Sequence, residues 1–138
     1  MTRYQIINPE SLGSPKGWNN GMLAPAGGRI LFVAGQTAQD ANGRIDTPDF
    51  VEQFGRALRN VLTVVREAGG EPTDIGRFTI FVTDADAYLG SLKPLGVMYR
   101  SLMGRHYPAM ALMEISRLVE EGALVEIEAT AVLAPEGA

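Results

Sequence analysis

The chain has 138 residues, 46% of them hydrophobic, a net charge of −4 and an isoelectric point near 5.0, which suits one globular domain over 1–138 with its own core. Its two lysines, Lys16 and Lys93, and ten scattered arginines form no basic block, so nucleic acid, held largely through cationic contacts to phosphates, is not an expected partner. With no cysteine and a single histidine, His106, the chain cannot build a disulfide, a thiol nucleophile or a multi-histidine metal site of its own, and a reducing compartment fits.

Residues 1–29 read as irregular, rich in Gly, Pro and Asn, with a short strand at 22–24 before a turn at 25–28. The start carries no apolar targeting core or cleavage signature, and no run reaches the roughly 18 apolar residues of a membrane span. A cytoplasmic protein without membrane contact is expected. Ile30-Leu31-Phe32-Val33-Ala34 is a continuous apolar run, the pattern of a strand covered on both faces, ended by Gly35-Gln36. Asn42-Gly43 signals a turn that could close a short hairpin.

Helical spacing runs from about 49 to 68, with Phe50, Phe54, Leu58, Val61, Leu62 and Val65 on one stripe. Thr47 before Pro48 is one N-cap candidate and Asp49 another; Gly69-Gly70 supplies the stop. Residues 77–83 alternate as a strand. A second helical region begins at about 84, with Asp86 as a possible cap. Pro94 interrupts it, because an interior proline costs about 3 kcal/mol, and so opens a new helix ending near Met103-Gly104. Leu95, Met98, Tyr99 and Leu102 give that helix its apolar face. Two strands follow, at roughly 109–115 and 123–133. Single apolar stripes place both helices on one sheet face. The other face keeps enough apolar residues to need a cover, which points to a homo-oligomer.

Few residues suggest chemistry. Glu126 and Glu128 share a strand face about 6.5–7 Å apart. For an arbitrary strand this spacing means solvated or interface glutamates; the sharper alternative is a carboxylate acting as a general acid/base or water-positioning group. Glu114 is a third candidate. Arg105 and His106, before Tyr107-Pro108, could bind an anion, although a lone loop histidine is more often a surface residue. Trp18, the only tryptophan, packs or walls a pocket. No cofactor is expected: Gly27-Gly28 and Gly69-Gly70 belong to neither a GxGxxG nor a Walker pattern.

In order and spacing these pieces resemble the Rid/YjgF family of reactive-intermediate deaminases over nearly the whole chain. The matching segments are Gly17-Trp18, Phe32-Val33-Ala34-Gly35-Gln36, Gln53 and Asn60 with Ala68-Gly69-Gly70, Phe81-Val82-Thr83-Asp84, Tyr107-Pro108-Ala109, and Val125-Glu126-Ile127-Glu128-Ala129. The resemblance implies a chorismate-mutase-like α+β sandwich, a mixed sheet with two helices on one face. It also implies a homotrimer with small-molecule clefts between subunits. The reaction it implies is hydrolysis of an enamine or imine to a keto acid and ammonia.

Carried over residue by residue, Glu126 stands at the position of the glutamate that places or activates water. Gly35 and Gln36 keep the strand end bordering the cleft, and Trp18 stands where a tyrosine is common. Gly96 falls near an asparagine of the deaminases. Met110 replaces the arginine that holds the substrate carboxylate. A thioether makes no charge-assisted contact, and hydrogen bonds to charged groups contribute roughly 1.5–3 kcal/mol each. Efficient turnover of small 2-imino acids is therefore not expected, unless a cation such as Arg105 substitutes. The leading expectation is a small-molecule-binding homotrimer that, if it is an enzyme, hydrolyses a C=N or related bond, with Glu126 catalytic and Trp18, Gly35, Gln36, Gly96, Arg105 and Met110 at the ligand. The alternative is a non-catalytic ligand-binding or regulatory trimer. Ribonuclease activity, sometimes attached to this family, fits poorly with the acidic charge and the solitary histidine.

Overall fold

A computed structural model describes residues 3–137. Six strands and three α-helices build the described residues: β1 (Gln5–Ile7), β2 (Gly21–Leu23), β3 (Arg29–Gln36), α1 (Phe50–Glu67), β4 (Ile75–Val82), α2 (Ala85–Leu89), α3 (Leu92–Met103), β5 (Ala109–Glu114) and β6 (Val125–Leu133). The main sheet runs in the order β3-β6-β4-β5, antiparallel except for the parallel β4/β5 pair. The architecture is the expected α+β type with a mixed sheet. Residues 3–29 are more regular than their composition suggests, because β1 and β2 pair antiparallel in a separate ribbon.

Helix α1 forms where its apolar period predicts. Phe54, Leu58, Val61, Leu62 and Val65 are buried against β3 and β6. Asp49 is the N-cap, its side chain accepting from the Glu52 amide at 2.9 Å. Thr47 instead accepts from the Asp49 amide. Gly69, at φ 87°, lets the chain reverse while the Gly69 and Gly70 amides donate to Arg66 and Val65 carbonyls, the paired C-terminal closure that glycine permits. Asp84, not Asp86, caps α2, accepting from the amides of Asp86 and Ala87. Pro94 lies in the first turn of α3, where its missing N–H costs no helical bond.

Two polar side chains tie α1 to its surroundings. Gln53 is fully buried; its amide nitrogen donates to the Thr47 and Gly122 carbonyls at 2.8 Å each, and its oxygen accepts from the Leu124 amide at 2.9 Å. Asn60 donates to the carbonyls of Thr37 and Gln39. Both anchor irregular chain that would otherwise leave backbone groups unpaired beneath the helix.

One local expectation needs correction. Asn42-Gly43 turns, with Gly43 at φ 73°, but no hairpin forms. Backbone bonds from Asp40 to Arg44 and from Gly43 to Asp40 close the turn, and the Asp40 carboxylate accepts from the Asn42 and Arg44 amides. Those last two bonds, Arg44 first, keep that carboxyl below the usual carboxylate range. The run 30–34 is covered on one face within the chain, and the other is the face for which an oligomer cover is expected: Leu31 and Val33 face the helices, while Ile30 is 64% and Phe32 79% exposed. Its continuous apolar pattern reflects one buried face and one bare face. Phe32 and Met113 both expose apolar surface on that bare side.

Candidate functional site

The two sheet faces carry different groups. On the helix side, between α3 and the β4/β5 edge, lies a half-open cavity of about 550 Å³. Phe54, Ile80, Leu95, Met110 and Leu112 form its apolar depth. Trp18, Tyr88, Tyr99 and Tyr107 add aromatic walls, and Lys16 and Arg100 bring positive charge.

Local bonding fixes these walls. Asn19 donates from its side chain to the Tyr107 carbonyl at 2.7 Å and from its backbone to that of Pro108. The Asn8 carboxamide also grips Asn19 and Asn20. The loop bearing Trp18 is thereby stitched to the segment that enters β5. Tyr99 and Tyr107 stack with ring centroids 5.3 Å apart and planes 9° apart. The Tyr99 hydroxyl donates to the His106 carbonyl at 2.7 Å. Burial, with a smaller contribution from Tyr107, pushes the Tyr99 phenol well above its ordinary value, so it stays a neutral donor.

Gly96 and Arg100 are one helical turn apart on α3. A Cβ at Gly96 would stand 3.1 Å from an Arg100 guanidinium nitrogen. Side chains on a helix lean toward its N-terminus, and the glycine leaves the space into which this guanidinium leans. Among the described residues no carboxylate lies within ion-pair distance of Arg100; the ion pairs there belong to Arg56 with Asp46 and Glu52.

The second group sits on the open sheet face. Glu126 alternates with the buried Val125 and Ile127, so its side chain leaves the core on the side away from the helices. The β3/β6 register slips between Val33 and Gln36, which re-aims the strand end. There a Cβ on Gly35 would come within 2.9 Å of the Glu126 carboxyl carbon. The carboxylate thus lies over the bare Gly35 backbone. Glu128 is separate, in a smaller hollow of about 210 Å³ with Phe32, Arg77, Thr79 and Thr130.

Of the residues singled out by sequence, Trp18, Gly96 and Met110 meet in the large cavity. Gly35, Gln36 and Glu126 meet at the β3/β6 bulge. The two groups are on opposite faces, because Met110 pairs with buried Phe78 while Glu126 pairs with Phe81. Arg105 is exposed and lines neither hollow. His106 turns its Nε2 to the Ile75 carbonyl at 2.6 Å, a bond in which that nitrogen must donate. Glu114 accepts from the Ala85 amide at the start of α2. Arg100 was not singled out by sequence; its i, i+4 relation to a mid-helix glycine was the available signal. Among the described residues no cluster of three or more His, Cys, Asp or Glu could hold a metal, and no helix is long and apolar enough to cross a membrane.

This fold has known counterparts. Residues 12–133 match the family described as Endoribonuclease L-PSP, and the chain belongs to that family, the Rid/YjgF proteins. It is similar to the RutC family protein y4sK of Sinorhizobium fredii, at 35% identity over 103 residues, covering 74% of this chain and 78% of that one. A 2-iminobutanoate/2-iminopropanoate deaminase of Salmonella typhimurium is 30% identical over 108 residues, covering 76% of this chain and 80% of the relative. The crystal structure of YyfB from Yersinia pestis, a Rid-family protein described as of unknown function, aligns with a TM-score of 0.82 at 30% identity, covering 94% of this chain and 98% of that one. The chorismate-mutase-like arrangement is thereby established for the chain.

Proposed function

We propose that this chain is the protomer of a cytoplasmic homotrimer that hydrolyses an imine, enamine or related C=N bond in clefts between subunits. The observation that carries the reading is the separation of the two residue groups. The Met110 cavity and the Glu126 carboxylate lie on opposite faces of one sheet, and no movement of side chains alone brings them together. A second copy covering the bare face around Phe32 supplies the missing half of each cleft. Exposed apolar surface of this kind marks interaction sites.

In that cleft Glu126 accepts a proton from a water molecule as the water attacks the C=N carbon. Glu126 passes that proton to the nitrogen to give a neutral carbinolamine, then relays the hydroxyl proton to the same nitrogen as the C–N bond breaks, which leaves a carbonyl and releases ammonia or an amine. Gly35 contributes by its absence of a side chain, leaving the carboxylate free over the strand end. Deamination also matches the activity for which the Salmonella relative is named. Nuclease chemistry has less support. The net charge is −4, and the sole histidine is bonded to a backbone carbonyl.

The test is ammonia release from a panel of imines generated in situ, with wild type and Glu126→Gln compared. The variant keeps shape and one acceptor oxygen but cannot serve as a base. Turnover is expected in wild type and should fall about 10²–10⁴-fold in the variant. Equal turnover in both removes Glu126 from the mechanism. No turnover on any imine, in a trimer that still binds small molecules, establishes the non-catalytic alternative.

A further inference from the structure

We propose that the large cavity takes a carboxylate carried on an aromatic or similarly bulky apolar body, with Arg100 as the group that holds the carboxylate. This rests on the cleft reading above and names its ligand class. Four features of the cavity lead to it.

The volume, about 550 Å³, is that of a site for a sizeable organic molecule. A two- or three-carbon acid would leave most of it to water. The lining is apolar at depth, with Met110 and Leu112, and aromatic at the sides, with Trp18, Tyr88 and Tyr107. Such walls favour a flat apolar body. Met110 presents a polarisable thioether, which packs well against aromatic rings and carries no charge for an anion.

The third feature is Arg100. Arg100 lines the same cavity with its guanidinium beside Gly96, another lining residue, and has no carboxylate partner among the described residues. Its planar fork suits a bidentate carboxylate. The fourth is Gly96, which sits mid-helix where glycine costs about 1 kcal/mol relative to alanine. The vacant Cβ position is the space beside the Arg100 guanidinium. Anion at Arg100 and apolar body along Met110 describe an amphipathic acid, such as a 2-imino or 2-keto acid with an aryl side chain.

Trp18, the only tryptophan, reports occupancy. The probe is 3-phenylpropanoate, which has no C=N bond and so tests binding apart from turnover. Titration of the assembled wild-type protein should change Trp18 fluorescence saturably, while propanoate should bind at least tenfold more weakly. Arg100→Met should weaken 3-phenylpropanoate about ten- to hundredfold, the range for losing a charge-assisted contact. Neutral 3-phenylpropanamide should bind both proteins equally. Gly96→Ala should weaken the acid while leaving the melting temperature unchanged or raised, a split that a purely structural role for Gly96 would not produce.

Equal binding of propanoate and 3-phenylpropanoate, or undiminished binding by Arg100→Met, overturns the proposal. The amide comparison needs no variant, so it stands even if a substitution harms folding: in wild type, equal affinity for acid and amide also overturns it. Failure here leaves Glu126-dependent ammonia release untouched. Absence of ammonia release with Arg100-dependent binding intact removes the hydrolase reading and leaves this one standing.

Discussion

Replacing Gln53 by leucine tests whether one buried amide secures the chain that leads into β6, and hence the strand that bears Glu126. The substitution keeps the side-chain volume close and deletes three hydrogen bonds at once. The three backbone groups left behind are not equivalent. Gly122 is exposed, so its carbonyl can accept from water. The Thr47 carbonyl and the Leu124 amide belong to half-buried residues beside α1. An orphaned buried group costs about 1–3 kcal/mol, so two of them predict a loss of about 2–6 kcal/mol. Against a typical total of about 5–15 kcal/mol that is severe. Urea denaturation followed by circular dichroism measures it. A loss below about 1 kcal/mol would refute the reasoning, by showing that water replaces the amide at all three positions. Gln53→Glu supplies an independent check with a sign. A carboxylate there can accept from the Leu124 amide, but it faces two carbonyl oxygens and is buried, so its folded pKa rises above the unfolded value of about 4.3. The variant should be most stable below about pH 4.3 relative to wild type and lose stability as pH climbs through the raised folded pKa. A pH-independent difference would contradict the assigned orientation of the amide.

Gly35→Ala should lower imine turnover sharply with little change in melting temperature, because the new Cβ displaces the movable Glu126 carboxylate rather than backbone; unchanged turnover would separate Gly35 from the site. Phe32→Asp should convert the proposed trimer to species near the 14.8 kDa chain mass in native mass spectrometry, since Phe32 is 79% exposed on the bare face; an assembly that survives would place the interface elsewhere. Asp49→Ala should cost about 1 kcal/mol by removing the α1 cap, measurable by the same denaturation assay. Tyr4 is pushed up to about 12 mainly by burial. Its stabilising contribution is therefore fully present below about pH 10 and lost as pH rises toward 12, and Tyr4→Phe should flatten the stability profile in that window.

Periodicity carried most of the fold. The stripe in α1, the alternation in β4 and β6 and the glycine stop after Glu67 are consequences of local backbone geometry, so they can be read without neighbours. Pro94 likewise marked the start of α3, because the cost of its missing N–H depends only on its place in the helix. The caps were less legible. Thr47, Asp49, Asp84 and Asp86 all have suitable side chains, and only the path of the chain decides which one meets the free amides.

The candidate site divides along the same line. Glu126 and Met110 could be picked out as residues, but their placement on opposite faces is a property of sheet register. A one-residue slip in either strand would reverse it. The bare side of β3 looked like a fully covered strand because an apolar run records the total demand for burial and not whether the cover comes from the same chain. Arg100 carried only a faint sequence signal, its i, i+4 relation to Gly96. Its significance comes from a cavity built by α3, β4, β5 and a loop that are far apart in sequence, and from a glycine whose missing side chain leaves room for it. Local preference is written residue by residue, whereas a site is a meeting of distant surfaces, and packing alone determines which surfaces meet.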